Sequence, residues 1–143
     1  MAGADRGPVY WDASAIVTLI RREQHTARAS RVARRPGTHM VSTLAYAEVM
    51  AVVTRSERRG LMAKGAWRLA RELLHREPWQ RLDLQPDRSE IEQLASKHSL
   101  RGADLWHLAT VSTVRRSVEE LRLLTFDAAL RTAAQDLGFA LAD

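Results

Sequence analysis

Apolar residues fall along this chain in two kinds of run: short extended ones, and longer ones with a helical repeat. Val9-Tyr10-Trp11 is β-branched and aromatic and stops at Asp12, which predicts a buried strand whose carboxyl end carries an acid. Ser14 is placed to cap a helix running to about Arg22, and a second helix is predicted over 24–34, ended by Pro36-Gly37. Residues 38–42 read as a second strand, 44–59 as a long helix closed by Gly60, and 61–77 as an amphipathic helix stopped before Pro78. A short strand follows over 79–84, then a helix to about Ser99 capped by Asp87 or Ser89, and another helix starting near Arg101. Residues 121–127 repeat the opening theme, a short apolar strand that ends in an acid. A helix over 128–137, closed by Gly138, and a last short strand over 139–142 complete the pattern.

This alternation predicts an α/β fold with a mostly parallel central sheet of four or five strands, flanked by helices. Crossovers in such sheets are right-handed, so the carboxyl ends of the strands share one edge, and ligands bind outside that edge. A chain of 143 residues can bury one proper core and not two, so residues 1–143 are expected to form a single domain, with 1–8 a flexible N-terminal extension. No internal repeat or low-complexity segment interrupts it.

Composition narrows the class. The hydrophobic fraction of 45% and charged fraction of 27% are those of a soluble globular protein. There is no cysteine, which excludes disulfides and thiolate metal sites. Residues 1–8 lead into no long apolar core, and no apolar run approaches the roughly 20 residues that span a bilayer, so a cytoplasmic protein without a membrane partner is expected. The net charge of +5 lies wholly in residues 1–60, which hold ten Arg against five acids; the remainder balances twelve Lys and Arg against twelve acids. Arg outnumbers Lys twenty to two, and a guanidinium grips phosphate or carboxylate with two prongs where an ammonium cannot. Arg28, Arg31 and Arg35 fall at i, i+3 and i+7, which would put three guanidiniums on one side of the second helix, either as a solvated face or as a phosphate-binding stripe.

Four acids stand where solvated acids do not belong. Asp12 and Asp127 end strands, although Asp127 alone could serve as the N-cap of the helix after it. Glu48 has Leu44, Ala45, Ala51 and Val52 as its helical neighbours, so it projects from the apolar stripe. Asp104 shares a face with Leu108 and Val111, which argues against a mere response to the helix dipole. His107 follows one turn later, and a lone histidine in a helix is more often a hydrogen-bonded core residue than a ligand. Carboxylates converging on one edge repel, each pair at ~4 Å costing about 4 kcal/mol at an effective dielectric near 20, so such a cluster needs a cation. With only oxygen donors, Mg²⁺ or Mn²⁺ fits best, and either ion can present a water as nucleophile for phosphodiester hydrolysis.

At this point the chain resembles a known family. Asp12-Ala13-Ser14, Glu48 in its apolar helix, residues 102–109 (Gly-Ala-Asp-Leu-Trp-His-Leu-Ala), and Thr125-Phe126-Asp127 with Ala133-Ala134 and Gly138 beyond are similar to the PIN-domain nucleases, above all the VapC-type toxins of toxin–antitoxin pairs. The resemblance runs from about Val9 to Leu141. It implies a PIN-like three-layer α/β/α fold and a Mg²⁺- or Mn²⁺-dependent endoribonuclease whose pocket is formed by Asp12, Glu48, Asp104 and Asp127. It further implies that Asp12 and Asp104 are the main metal ligands, that Glu48 orients the attacking water, that Asp127 helps bind a second ion, and that Ser14 and Thr125 orient carboxylates. Trp106 departs from the pattern, standing where the family often has a smaller aliphatic residue. A homodimer is implied too, with RNA as substrate and a small cognate antitoxin as inhibitor, for which the Arg-rich segment 21–35 is a candidate surface.

Two rival readings follow from the same residues. A phosphatase with Asp12 as nucleophile would want a second Asp two residues on, where Ser14 stands, and a phosphate-pairing lysine, where only Lys64 and Lys97 are available. A non-catalytic basic α/β module that binds RNA or a protein would use the acids only for caps and ion pairs.

Overall fold

The computed structural model describes residues 6–143. Four strands, β1 (Val9–Trp11), β2 (His39–Ser42), β3 (Trp79–Leu82) and β4 (Arg122–Leu124), form one sheet in the order β3-β2-β1-β4, and every pairing is parallel. Seven helices surround it: α1 (Ala13–Ile20), α2 (Thr26–Ala33), α3 (Thr43–Arg58), α4 (Ala66–His75), α5 (Arg88–Lys97), α6 (Gly102–Arg115) and α7 (Ala128–Asp136). The chain steps outward from β1 to β3 and then crosses back to place β4 on the other side of β1. The strand order therefore reverses between β1 and β4, and in open α/β sheets the crevice at that reversal is where ligands bind.

Successive strand residues face opposite sides, and the core divides accordingly. Val9 and Trp11 point toward Ile16, Ala29, Val32, Val49, Val53, Ala70 and Leu74 of α1 to α4. Tyr10 and Leu123 point the other way, onto Leu94, Leu108, Val111 and Leu130 of α5 to α7. On the first face the Trp11 indole N–H donates to His39 Nδ1 at 2.9 Å, His39 Nε2 lies 3.1 Å from the Arg35 carbonyl, and Trp79 packs with its ring 4.9 Å from that of Trp11. Burial pushes the His39 pKa down, in keeping with a neutral ring in this apolar setting.

The observed boundaries differ from the expected ones for local reasons. Asp12, not Ser14, occupies the N-cap of α1, and its side chain makes no capping bond. The start of α2 is delayed to Thr26, whose hydroxyl accepts from the Glu23 N–H at 2.8 Å and donates to the Thr18 carbonyl at 2.9 Å, tying residues 21–25 into a loop. Because α2 ends at Ala33, Arg35 lies beyond it, and the expected stripe of three arginines keeps only Arg28 and Arg31 on the helix. The turn after it needs glycine: Gly37 has φ +126°, and a Cβ there would come within 2.7 Å of the Arg6 carbonyl. Further on, α3 starts at Thr43 because Ser42 accepts from the Ala45 N–H at 3.0 Å. Residues 61–65 turn rather than coil, with the Gly65 N–H donating to Glu57 Oε1 at 2.9 Å, so α4 begins at Ala66.

The fifth strand expected over 139–142 is reduced to a single parallel bridge, Leu123 to Leu141. Of the extension expected over 1–8, residues 1–5 lie outside the described residues, while the Pro8 carbonyl accepts the Arg122 N–H at 3.0 Å. Among the described residues no helix is long and apolar enough to cross a membrane.

Candidate active site

The carboxyl end of β1 delivers Asp12 into the crevice beside β4. Its backbone N–H donates to the Leu124 carbonyl at 3.0 Å, so the sheet itself fixes the position of this residue. Two hydroxyls then fix its rotamer: Ser14 and Thr125 donate to Oδ2 at 2.6 and 2.7 Å. Both hydroxyls have second tasks that join the loops. Ser14 Oγ accepts the Phe126 N–H at 3.0 Å, and Thr125 Oγ1 accepts the Asp127 N–H at 3.1 Å. With Oδ2 held this way, Oδ1 faces the pocket.

Glu48 comes from the middle of α3. Its Oε1 lies 2.5 Å from Nε2 of His107, which is fully buried on α6, and the same nitrogen is 3.8 Å from Asp12 Oδ1. Ligand atoms of Asp12, Glu48 and His107 all lie within 4.8 Å of one another. On the other side of the imidazole, Nδ1 is 2.6 Å from the hydroxyl of Tyr10, and that hydroxyl is 3.1 Å from Ser42 Oγ. Burial pushes the Tyr10 pKa well above its ordinary value, so this group is an O–H at every working pH.

Asp104, in the first turn of α6, and Asp127, after β4, complete the acidic wall. Asp127 does cap α7, accepting from the Leu130 N–H at 2.9 Å, and it reaches the pocket through its other oxygen. Arg101 spans the two acids, with Nε 3.2 Å from Asp104 and a terminal nitrogen 3.1 Å from Asp127. Even so, the Asp104 pKa is raised: burial and the charges of Asp127 and Asp12 outweigh the hydrogen bond from Arg101. The carboxylates correspondingly push the Arg101 pKa up, chiefly through Asp104. Its side chain is 79% exposed, free to leave these acids without unpacking anything.

All four acids, with Ser14 and Arg101, line one cavity of about 460 Å³. His25 and Phe126 form part of its wall, their rings stacked 4.4 Å apart at 10°, and the Arg28 guanidinium lies 5.8 Å from the Phe126 centroid. Of the three arginines singled out by spacing, Arg28 pairs with Asp143, Arg35 donates to the Asp143 backbone oxygen, and Arg31 is exposed on α2. Trp106 is half-buried, edge-on to His107 with ring centroids 5.6 Å apart.

The donor set suits a hard divalent cation. Asp12 and Glu48 bring carboxylate oxygens close together with one nitrogen nearby, and burial together with the charges of Asp127 and Asp12 keeps the Asp104 pKa raised despite Arg101. The four acids expected from sequence line this cavity, and the two expected hydroxyls bond Asp12. Sequence reasoning missed Arg101 and Tyr10, and it set His107 aside as a core histidine. For Arg101 and His107 the available signal was spacing, since each stands three residues from Asp104.

Comparison with known proteins places this geometry. The family model of the PIN domain matches residues 9–136. Ribonuclease VapC46 of Mycobacterium tuberculosis is 36% identical over 135 residues, covering 92% of this chain and 94% of that protein. Among solved structures, VapC20 of Mycobacterium tuberculosis, a sarcin–ricin loop cleaving toxin, superposes with a TM-score of 0.64 at 17% identity, covering 92% of this chain and 96% of its own. VapBC-1 of nontypeable Haemophilus influenzae gives a TM-score of 0.65 at 16% identity, with coverages of 95% and 97%. At such identities these two likenesses speak for the fold alone.

Proposed function

The chain belongs to the PIN-domain family, and on that premise we propose that it is a divalent-metal-dependent endoribonuclease acting as the toxin of a toxin–antitoxin pair. The observation that carries the reading is the cavity itself. Residues as distant in sequence as Asp12, Glu48, Asp104 and Asp127 line one hollow at the strand-order reversal. A structural protein has no reason to gather acids there, since each adds repulsion and Arg101 offsets only part of it.

Asp12 and Asp104 are the main ligands in this reading, Glu48 orients the water that attacks the phosphodiester, and Asp127 adds a ligand for a second ion. Mg²⁺ or Mn²⁺, when bound, acidifies a coordinated water and neutralises charge building on the phosphate. The protein supplies orientation. Ser14 and Thr125 hold Asp12 by one oxygen, which leaves the other directed at the centre. Arg101, exposed and two-pronged, would be free to exchange its carboxylate partners for a substrate phosphate. The stacked His25 and Phe126 give a single-stranded RNA base an aromatic wall beside the acids.

Residues 1–143 act as a single nuclease domain in this reading, working as a homodimer in the cytoplasm and held in check by a cognate antitoxin. The Arg-rich segment 21–35, with Arg28, Arg31 and Arg35, is the surface offered to the RNA backbone or to the antitoxin.

The decisive experiment pairs metal binding with cleavage. Mn²⁺ should raise the melting temperature through preferential binding to the folded state, and Asp12→Ala should abolish both RNA cleavage and growth inhibition while remaining folded. A melting curve indifferent to Mn²⁺, together with tight RNA or protein binding, would favour the non-catalytic basic module instead.

A further inference from the structure

Helix α6 does more than deliver Asp104. One turn on, His107 sits wholly buried beneath the acids, and both of its ring nitrogens are engaged. Glu48 lies on a different helix and its side chain is 32% exposed, so without a partner it would sample several rotamers at the mouth of the cavity. We propose that His107 is the positioning residue for Glu48, its Nε2–H donating to the carboxylate while Tyr10 holds the ring from the other side, so that one carboxylate oxygen is pinned and the other is presented to the ion and its water. The proposal rests on the nuclease reading only for the task that Glu48 performs; the arrangement itself belongs to this chain.

The partner of Nε2 dictates that this nitrogen is the donor. A carboxylate can only accept, so at 2.5 Å from Glu48 Oε1 the proton must be on Nε2. On the other side of the ring, Nδ1 is 2.6 Å from the Tyr10 oxygen, whose O–H donates to Ser42 Oγ at 3.1 Å. Ser42, 3.1 Å from that oxygen, also accepts the Ala45 N–H that starts α3. The helix that carries Glu48 and the ring that steers Glu48 are therefore anchored on the same serine. This chain of contacts, Ser42, Tyr10, His107, Glu48, runs from the end of β2 through the floor of the sheet to the cavity. A histidine present only to fill the core would need no acid of the pocket as its partner, and His107 Nε2 is aimed at Glu48 while Asp12 stands 3.8 Å away.

Ring ¹⁵N spectra of the metal-free protein read the contact directly: a protonated Nε2 is expected, and a bare Nε2 would overturn the proposal. Calorimetric titration with Mn²⁺ reads the consequence. His107→Leu is expected to weaken Mn²⁺ binding by about tenfold to a hundredfold, the range for losing a partner that orients a ligand. His107→Gln, whose amide N–H can stand in for Nε2–H, should recover most of that loss. Tyr10→Phe, which removes only the hydroxyl, should weaken binding several-fold in the same direction. In cleavage assays the losses should fall on kcat, with KM for RNA nearly unchanged. Leu and Gln variants equally impaired would mean that ring volume alone matters, and a Tyr10→Phe protein with wild-type Mn²⁺ affinity would also sink the idea. If His107→Leu fails to fold, the Gln and Phe variants carry the test. Should the wild type bind Mn²⁺ yet cleave no RNA while the variants follow this order of affinities, the nuclease reading falls and the positioning role stands.

Discussion

Asp104 is where the electrostatics of the pocket can be measured without substrate. Burial, then the charge of Asp127, and also that of Asp12, push its carboxyl above the ordinary 3.8, and Arg101 offsets only part of this. A carboxyl that holds its proton more tightly in the folded state contributes stability that is complete below the unfolded value and is lost as pH rises through the folded one. At neutral pH the ionised Asp104 therefore weakens the metal-free fold. Asp104→Asn should raise the metal-free Tm near neutrality, and the gain should shrink as the pH is lowered toward the ordinary carboxylate value. The same variant should lose most of the Tm increment that Mn²⁺ gives the wild type. Thermal scans in chelator and in Mn²⁺ across that pH range check both halves, and a variant less stable than wild type at neutral pH would show that Arg101 already neutralises the site. The four acids were readable in the sequence because each breaks a local rule, ending a strand or sitting on an apolar stripe. Arg101 was legible only as the residue three positions before Asp104, and its second partner Asp127, like both partners of Tyr10, is set by tertiary packing.

Among the elements, helix starts were the least readable features, and Ser42 explains why. It ends β2, caps α3 through the Ala45 N–H and touches Tyr10, three tasks that fall on one hydroxyl. From sequence it was the last residue of a strand, with no Glu or Gln three positions on to complete a reciprocal cap. The strand therefore passes into α3 with no loop between them, which sets the rotation of the helix and so the direction of Glu48. Ser42→Ala should cost about 1–2 kcal/mol by removing the cap, measured as a lower denaturant midpoint with an unchanged slope. A cost within experimental error would mean that water replaces the hydroxyl, which the complete burial of Ser42 opposes. Similar economy shortened α2 and α4: a threonine hydroxyl and a glutamate accept loop N–H groups that the periodic pattern would have assigned to helix. The apolar repeat recorded which residues are buried, and side chains that bond the backbone decided where each helix stops.

Across the whole molecule, alternation of strands and helices was enough to place Asp12 and Asp127 at one edge, because parallel strands share a carboxyl end. Strand order was not readable, and it is the reversal between β1 and β4 that turns an edge into a crevice. Charge is distributed around that crevice with a purpose the sequence only hinted at. Acids line the hollow, while the excess of arginine in residues 1–60 reaches its rim through Arg28, close to Phe126. An RNA strand can then lay neighbouring phosphates on guanidiniums while one phosphodiester enters the acidic centre. Binding of a non-cleavable RNA should weaken with salt, and Arg31→Ala should lower the slope of log K against log salt by about 0.7, the value for one phosphate on a single strand. Asp143→Asn should act in the opposite sense. The Asp143 carboxylate pairs with Arg28 and Arg131, and its removal frees both for phosphate, raising affinity and steepening the slope. Unchanged slopes in both variants would move the RNA path off α2, to the side of the cavity where Arg101 stands.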